Sequence, residues 1–505
     1  MKSDNATDTR SLFPAIAAFA GLLAVGLTGC GAMESDYGGT APGSYSSPGQ
    51  DYQQGENYES QKENSFIKAD EEPESTFGID VDTGSYTLMR RDIGNDKLPV
   101  KDGVRPEEYI NFFQYDYKEP EGEHPVAIDM EAGPSPFGEG KKMMRIGLKG
   151  KEVVNQNRKP TNLVFLLDVS GSMQSGKKLG LVKKSMYTLL DGLRPSDSVG
   201  IVVYAGADGV VLDPTEVRNE QKIKKAIDEL SAGGSTNGEA GIVRAYKMAE
   251  EAKIEGGNNR VILCTDGDFN VGKTGDALVD LIKEYREKRI GLSTVGFGMG
   301  NYNDATMEKL ARNGNGNYFY VDSKQEARRI FGSELTSTLE LLAADVKVQV
   351  AFNDEVVKRY RLVGYENRKL ENEDFEDDEK DAGDMGPGHT VTALYELELT
   401  GQAPEGAQLS EIRLRYKDDF GGQSKLMKRQ LKRSDVAAKL DEASSGYRFA
   451  LAVAEYAEIL RDSKHSDGAK FNRLLDIAGK AAGSKSKRTE FIGLAKKAKT
   501  LWKNK

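Results

Sequence analysis

Between residues 161 and 340 short apolar runs alternate with stretches of helical periodicity, and that alternation leaves few folds open to the chain. The runs at 163–168, 199–204, 260–265, 291–297 and 318–321 predict strands. The stretches at 179–190, 221–230, 238–253, 277–288, 304–312 and 325–341 predict helices between them. Strands that are apolar on both faces and joined through helices imply an α/β, doubly wound parallel sheet with right-handed crossovers. Residues 209–213 add a short strand at an edge.

The first run ends abruptly. In L-V-F-L-L-D-V-S-G-S-M, Asp168, Ser170 and Ser172 fall at alternate positions just past the strand's C-terminal end, the edge at which open parallel sheets bind ligands. One carboxylate and two hydroxyls supply only hard oxygen donors. Such a set suits Mg²⁺, Mn²⁺ or Ca²⁺ and not zinc, which prefers nitrogen and sulfur. The bland alternative is that a serine caps the following helix, which needs one residue and not five.

The D-x-S-x-S run resembles the metal-ion-dependent adhesion site of von Willebrand factor type A domains. Two further pieces stand in the family's order: G-G-S-T-N-G-E-A-G-I at 233–242 and V-I-L-C-T-D-G at 261–267. The resemblance implies that Ser170, Ser172 and Thr236 ligate a divalent cation, most readily Mg²⁺, directly. Ser235 is the alternative to Thr236. Asp168 and Asp266 would ligate directly or through water. It further implies one open coordination position, filled by an Asp or Glu carboxylate of a protein partner.

Three enzymatic patterns compete. Residues 267–274, G-D-F-N-V-G-K-T, satisfy the nucleotide-binding pattern G-x-x-x-x-G-K-[ST] and would make the chain a nucleotide hydrolase through Lys273 and Thr274. Against it, Asp266 and Asp268 put carboxylates at the mouth of a phosphate cradle. A metal-dependent phosphohydrolase using Asp168 would need a second carboxylate where Ser170 stands. Asp82-Thr83-Gly84-Ser85 matches the aspartic-protease signature, but that chemistry needs two carboxylates and no second copy occurs. No G-x-S-x-G motif is present. These readings leave a binding module with no catalytic residue assigned.

Residues 1–30 read as an export signal: Lys2 and Arg10 flank the start, 12–27 is apolar, and L-T-G-C closes it. The last four residues look like a bacterial lipobox. That implies cleavage before Cys30, lipidation of its thiol and amino group, and a membrane anchor facing away from the cytoplasm, on the outer membrane if the cell has one. Residues 31–75 are rich in Gly, Ser, Tyr, Gln and Glu and read as a disordered tether. A formal net charge of −10 argues against nucleic acid. Cys30 and Cys264 make no disulfide framework, and His124, His389 and His465 are too scattered to suggest a histidine site.

The remaining segments are an N-terminal region (76–160), the type A domain (161–342), a β-rich region (343–433) and a helical end (434–505). The segments 124–150 and 344–431 alternate like strands of one sandwich. Residues 104–117 predict a helix opened by Pro106. The acidic run 371–384 lacks the spacing of a Ca²⁺ loop. F-G-I-D-V-D-T-G-S-Y, R-P-E-E-Y-I-N-F-F, Y-R-L-V-G-Y-E-N-R and D-A-G-D-M-G-P-G-H-T-V-T-A-L-Y-E resemble the bacterial YfbK-like lipoproteins, in which dedicated flanks bracket a type A domain.

Overall fold

The strand Thr161–Asp168 is buried along its whole length and forms the middle of a six-stranded sheet. The structure is a computed structural model that describes residues 55–503, apart from 176–177, 205–208, 235–237, 268, 270–274, 301, 402–403, 405 and 467–470. Cys30, Ser235, Thr236, Asp268, Lys273 and Thr274 therefore lie outside the described residues.

The sheet runs Tyr318–Val321, Gly291–Phe297, Asn258–Thr265, Thr161–Asp168, Ser198–Tyr204, Gly209–Glu216. The first five are parallel and the last is an antiparallel edge. The expected adjacency of the Asp168 and Thr265 strands is found, with Leu166 opposite Leu263. Alternation sorts the central strand into two cores. Leu163, Phe165 and Leu167 pack with Val182, Met186 and Ile330. Val164 and Leu166 pack with Ile242, Tyr246 and Leu310 on the other face. Helices on both faces are why the run holds no polar side chain between Asn162 and Asp168.

The flanks form two further sheets. One runs Ile67–Lys68, Val357–Val363, Thr390–Leu399, Lys142–Gly150, Val126–Pro134, and the other Lys369–Leu370, Glu74–Gly78, Ala343–Phe352, Gln408–Lys417, Ser424–Lys432. Their apolar faces share a core in which Met144, Ile146 and Leu148 meet Val348, Val350 and Ile412, so they pack as a sandwich. Helix Ser445–Leu460 is buried among Pro106–Asn111, Phe471–Ala481 and Ser486–Lys503. Phe449 meets Phe113 and Phe491 edge-on, with centroids 5.0 and 5.4 Å apart.

The sheet edge at Tyr318 is covered, as exposed edges must be. Asp82 Oδ1 accepts the Tyr318 N–H (2.8 Å), and helix Gly84–Gly94 lies against the strand. A Cβ on Gly84 would overlap the Tyr318 ring. The D-T-G-S run is thus a close-packed entry to a helix, with Ser85 Oγ donating to Gly103 O (2.6 Å).

Three expectations need correction. The helix expected over 104–117 ends at Asn111, and beyond it Phe112, Phe113, Tyr115 and Tyr117 turn into the aromatic core instead of following one helical stripe. The helix expected over 325–341 is broken by a π-turn at Arg329–Ser333, where buried Arg329 donates to Thr83 Oγ1 (2.8 Å). The tether expected over 31–75 is too long: Glu56 pairs with Arg91 (2.7 Å) and Ile67–Lys68 pairs with Val357–Val363. Within the β-rich stretch, the alternation does not single out Ser424–Lys432, a solvated edge whose side chains do not alternate in polarity.

Candidate metal centre

Asp168 ends its strand with a carboxylate that is 1 % exposed. Oδ1 accepts the Ser170 N–H (2.8 Å) and Oδ2 accepts the Thr265 hydroxyl (3.0 Å). The Thr265 bond ties the first loop to the third. Burial raises the Asp168 carboxyl above the usual range, with the Asp266 charge adding to it and the Ser170 and Thr265 hydrogen bonds opposing it.

Ser170 and Ser172 flank Gly171 at the start of a 3₁₀ turn, Gly171–Gln174, and their hydroxyls are 2.9 Å apart. Ser170 is buried and Ser172 exposed, so the pair spans the wall and the mouth of the site. Fully buried Met173 pins the turn into the core beneath.

Asp266 follows the neighbouring strand. Its Oδ2 accepts from Lys178 Nζ (2.8 Å), and Lys178's stem lies over Gly298. Asp266 Oδ1 is buried without a hydrogen-bond donor among the described residues. The next residue, Gly267, is left-handed (φ 96°), and a Cβ there would meet Asn303 N at 2.6 Å. The second loop enters beside the first, where Gly233 N–H donates to Val169 O (2.7 Å). Thr236 and its alternative Ser235 follow in that loop, outside the described residues.

The described residues thus bring Asp168, Ser170, Ser172 and Asp266 to one sheet edge. The set fits a hard divalent cation. It holds two carboxylates against one ammonium, a close hydroxyl pair, and one carboxylate oxygen with no donor. Among the described residues no group of three or more His, Cys, Asp or Glu side chains is placed to hold a metal. Hydroxyls would therefore share the coordination here. Thr265 and Lys178 were missed from the sequence. A hydroxyl ending an apolar strand beside the Asp168 strand was the available sign for Thr265.

The nucleotide reading loses ground on Phe269, in the middle of the candidate phosphate loop. Its ring is buried edge-on to Tyr204 (5.4 Å) and pressed against Gly238. Gly267 N–H is already bonded to Thr265 Oγ1 (3.2 Å). A phosphate cradle needs free, convergent N–H groups.

Residues 162–333 match the von Willebrand factor type A domain, 52–145 match a von Willebrand factor family, and 337–501 match the family described as YfbK, C-terminal. The chain is 36 % identical to the uncharacterized protein YfbK of Escherichia coli over 464 residues, 86 % of this chain and 80 % of that one. Human inter-alpha-trypsin inhibitor heavy chain H4 is 32 % identical over 166 residues, 31 % of this chain and 18 % of its own length. Among solved structures, a von Willebrand factor type A protein from Catenulispora acidiphila aligns with TM-score 0.45 and 16 % identity, covering 73 % of this chain and 89 % of that one. The match to the E. coli protein over most of both chains, with the type A and C-terminal matches in the same order, places this chain in the YfbK-like family of von Willebrand factor type A proteins.

Proposed function

We propose that the protein is a membrane-anchored, divalent-metal-dependent protein-binding module of the bacterial cell envelope, and not an enzyme. The observation that carries this reading is the buried Asp266 Oδ1 with no donor among the described residues, beside Asp168 and the paired Ser170 and Ser172 hydroxyls. Membership of a type A family supports a protein-interaction role. Asp168, Ser170, Ser172, Thr236 and Asp266 would hold the ion, with Mg²⁺ the first choice and Mn²⁺ or Ca²⁺ acceptable. When bound, the ion supplies a Lewis-acidic position that an Asp or Glu carboxylate of the partner fills. The chain's own groups are set for that task before any partner arrives. Asp168 is clamped by two hydrogen bonds, Ser172 stands at the mouth, and Lys178 balances one of the two carboxylates.

Affinity capture from membranes tests the reading. Partner proteins should be recovered with the full chain in Mg²⁺ and lost in excess chelator. Equal recovery in both would remove the ion from the contact.

The anchor is a separate proposal, resting on L-T-G-C at 27–30. Cys30→Ser should leave the protein unprocessed or release it from membranes, because buried acyl methylenes each contribute about 0.8 kcal/mol of membrane affinity. Mass spectrometry finding an unmodified Cys30 in the mature wild-type protein would refute it.

No ATP or GTP binding is expected in the micromolar range, which corresponds to about 8 kcal/mol. Calorimetry that found such binding, and its loss in Lys273→Ala, would restore the nucleotide hydrolase.

A further inference from the structure

A cavity of about 340 Å³ opens beneath the parallel sheet, between its N-terminal edge and the 382–389 segment of the sandwich. It lies at the end of the sheet opposite the metal centre. Arg260 lines it near the start of the strand that Thr265 finishes, roughly 17 Å away at about 3.3 Å per residue.

Several charged groups around this interface are paired. Arg286 meets Asp381 (2.6 Å), Lys417 meets Asp345 (2.7 Å), and Arg368 meets Asp80, Asp82 and Glu308 (3.2–3.3 Å). Arg260 and Asp384, which face the cavity from the sheet and from the sandwich, stand outside that pairing. Arg260 donates from Nη1 to Ser293 Oγ (2.8 Å) and Asn315 O (3.2 Å), both neutral, and has no ion-pair partner among the described residues. Asp384 accepts the Asp345 N–H (3.1 Å) and makes no ion pair of its own among the described residues; the Arg260 charge reaches it only as a field across the cavity. An unpaired guanidinium and an unpaired carboxyl in one cavity are costly to keep, since desolvated charges are normally neutralised by a partner.

The backbone around Arg260 is shaped to admit its side chain. A Cβ on Gly291 would stand 3.3 Å from the guanidinium carbon, and one on Gly316 would stand 2.8 Å from Nη1. The group is therefore seated in a fixed place with its other nitrogens left over. Across the cavity, burial and the nearby Asp345 charge push the Asp384 carboxyl up to about 8, as expected of a carboxyl lacking its counter-ion. Burial disfavours charge on Arg260, and Asp384 is the carboxylate whose field opposes that.

A cavity of this size is at the small end of ligand sites. Arg260 and Asp384 have opposite sign, so a simple anion or a simple cation would satisfy one and repel the other. We propose that the cavity binds a small zwitterion of amino-acid or dipeptide size, with its carboxylate against Arg260 and its ammonium against Asp384. Bidentate carboxylate recognition is the chemistry to which a guanidinium is best matched.

The test is calorimetric titration of the full-length protein with glycine, L-alanine and L-alanyl-L-alanine, in the presence of chelator. At least one of the three should bind, and chelator should make no difference, because the metal centre is at the other edge. N-acetyl-L-alanyl-L-alanine lacks the ammonium and L-alanyl-L-alaninamide lacks the carboxylate. Each should bind at least tenfold more weakly than the free dipeptide. Arg260→Gln and Asp384→Asn should each weaken the free dipeptide at least tenfold. Arg260→Gln should also abolish the penalty for amidation, and Asp384→Asn the penalty for acetylation. No binding of any of the three zwitterions at about 10 mM would overturn the proposal. So would equal binding of free and blocked dipeptides by the wild type, a comparison that needs no variant to fold.

Discussion

Ser170→Ala together with Ser172→Ala is expected to lower Mg²⁺ affinity by at least about a hundredfold and to abolish metal-dependent partner capture while leaving the fold intact. The magnitude follows from the donor set. Loss of a residue that merely orients a ligand typically costs about ten- to a hundredfold in metal affinity, and this change removes two proposed ligands. The fold should tolerate it because the two hydroxyls bond to each other and, from Ser170, to the Asp168 carboxylate of the site, and neither is bonded into the apolar core beneath. Met173 still pins the turn, and Asp168 keeps the Ser170 backbone N–H and the Thr265 hydroxyl. Circular dichroism and the unfolding midpoint should therefore match the wild type. The contrast with a purely structural ion is direct: a structural ion would show itself as lost stability, a bridging ion as lost capture. Calorimetry with Mg²⁺ and pull-down from envelope extracts measure the two separately. Undiminished capture by the double variant would disconnect binding from these hydroxyls.

Which parts of this molecule could be read from its residues follows from where each element sits. The strands ending in Asp168 and Thr265 were legible because both faces are buried, which forces unbroken apolar runs that stop at a polar site. The antiparallel strand at the Gly209 edge was legible in place but not in length, since it runs on past 213 to Glu216. Ser424–Lys432 was not legible, because one side pairs with Gln408–Lys417 while most of its side chains face water, so nothing selects an alternating pattern. Non-local partnerships were equally hidden. Glu74–Gly78 pairs with Ala343–Phe352, some 270 residues on, and local composition carries no record of that. At the site, Asp168, Ser170, Ser172 and Asp266 were named because they end strands or open a loop. Lys178 was missed because one lysine in K-K-L-G looks like any other solvated charge. Its pairing with Asp266 depends on how the first loop crosses the sheet edge.

The buried charges joining the N-terminal segment to the type A sheet support the second large effect. Arg105 forks onto Asp304 through Nη1 (2.6 Å) and Nη2 (3.1 Å), and it also pairs with Glu108. Both carboxylates are fully buried, and Arg105 is 8 % exposed. One cation thus serves two anions, so the cost of a substitution depends on which charge is removed. Asp304→Asn leaves a neutral Arg105–Glu108 pair and keeps an acceptor for the Tyr318 hydroxyl, now at 2.7 Å. It should cost about 1–2 kcal/mol, the range of a weakened buried hydrogen bond. Arg105→Met leaves two buried carboxylates with no cation between them. Burial already holds Glu108 up to about 7 with the guanidinium opposing it, so removing Arg105 takes away the main force keeping it ionised. Breaking a buried pair in this way costs about 3–5 kcal/mol. The loss should also loosen the cover on the Tyr318 edge, because Arg105 N–H is held by Ser85 Oγ (3.0 Å), next to the Gly84 contact. Urea unfolding of the two variants checks the order. Arg105→Met should lie below Asp304→Asn by at least about 1 kcal/mol, and native-state hydrogen exchange should place its added opening at the Tyr318 strand. Equal losses, or an Arg105→Met variant as stable as the wild type, would mean that the two carboxylates find neutralisation elsewhere and that this contact does not hold the N-terminal segment on the sheet.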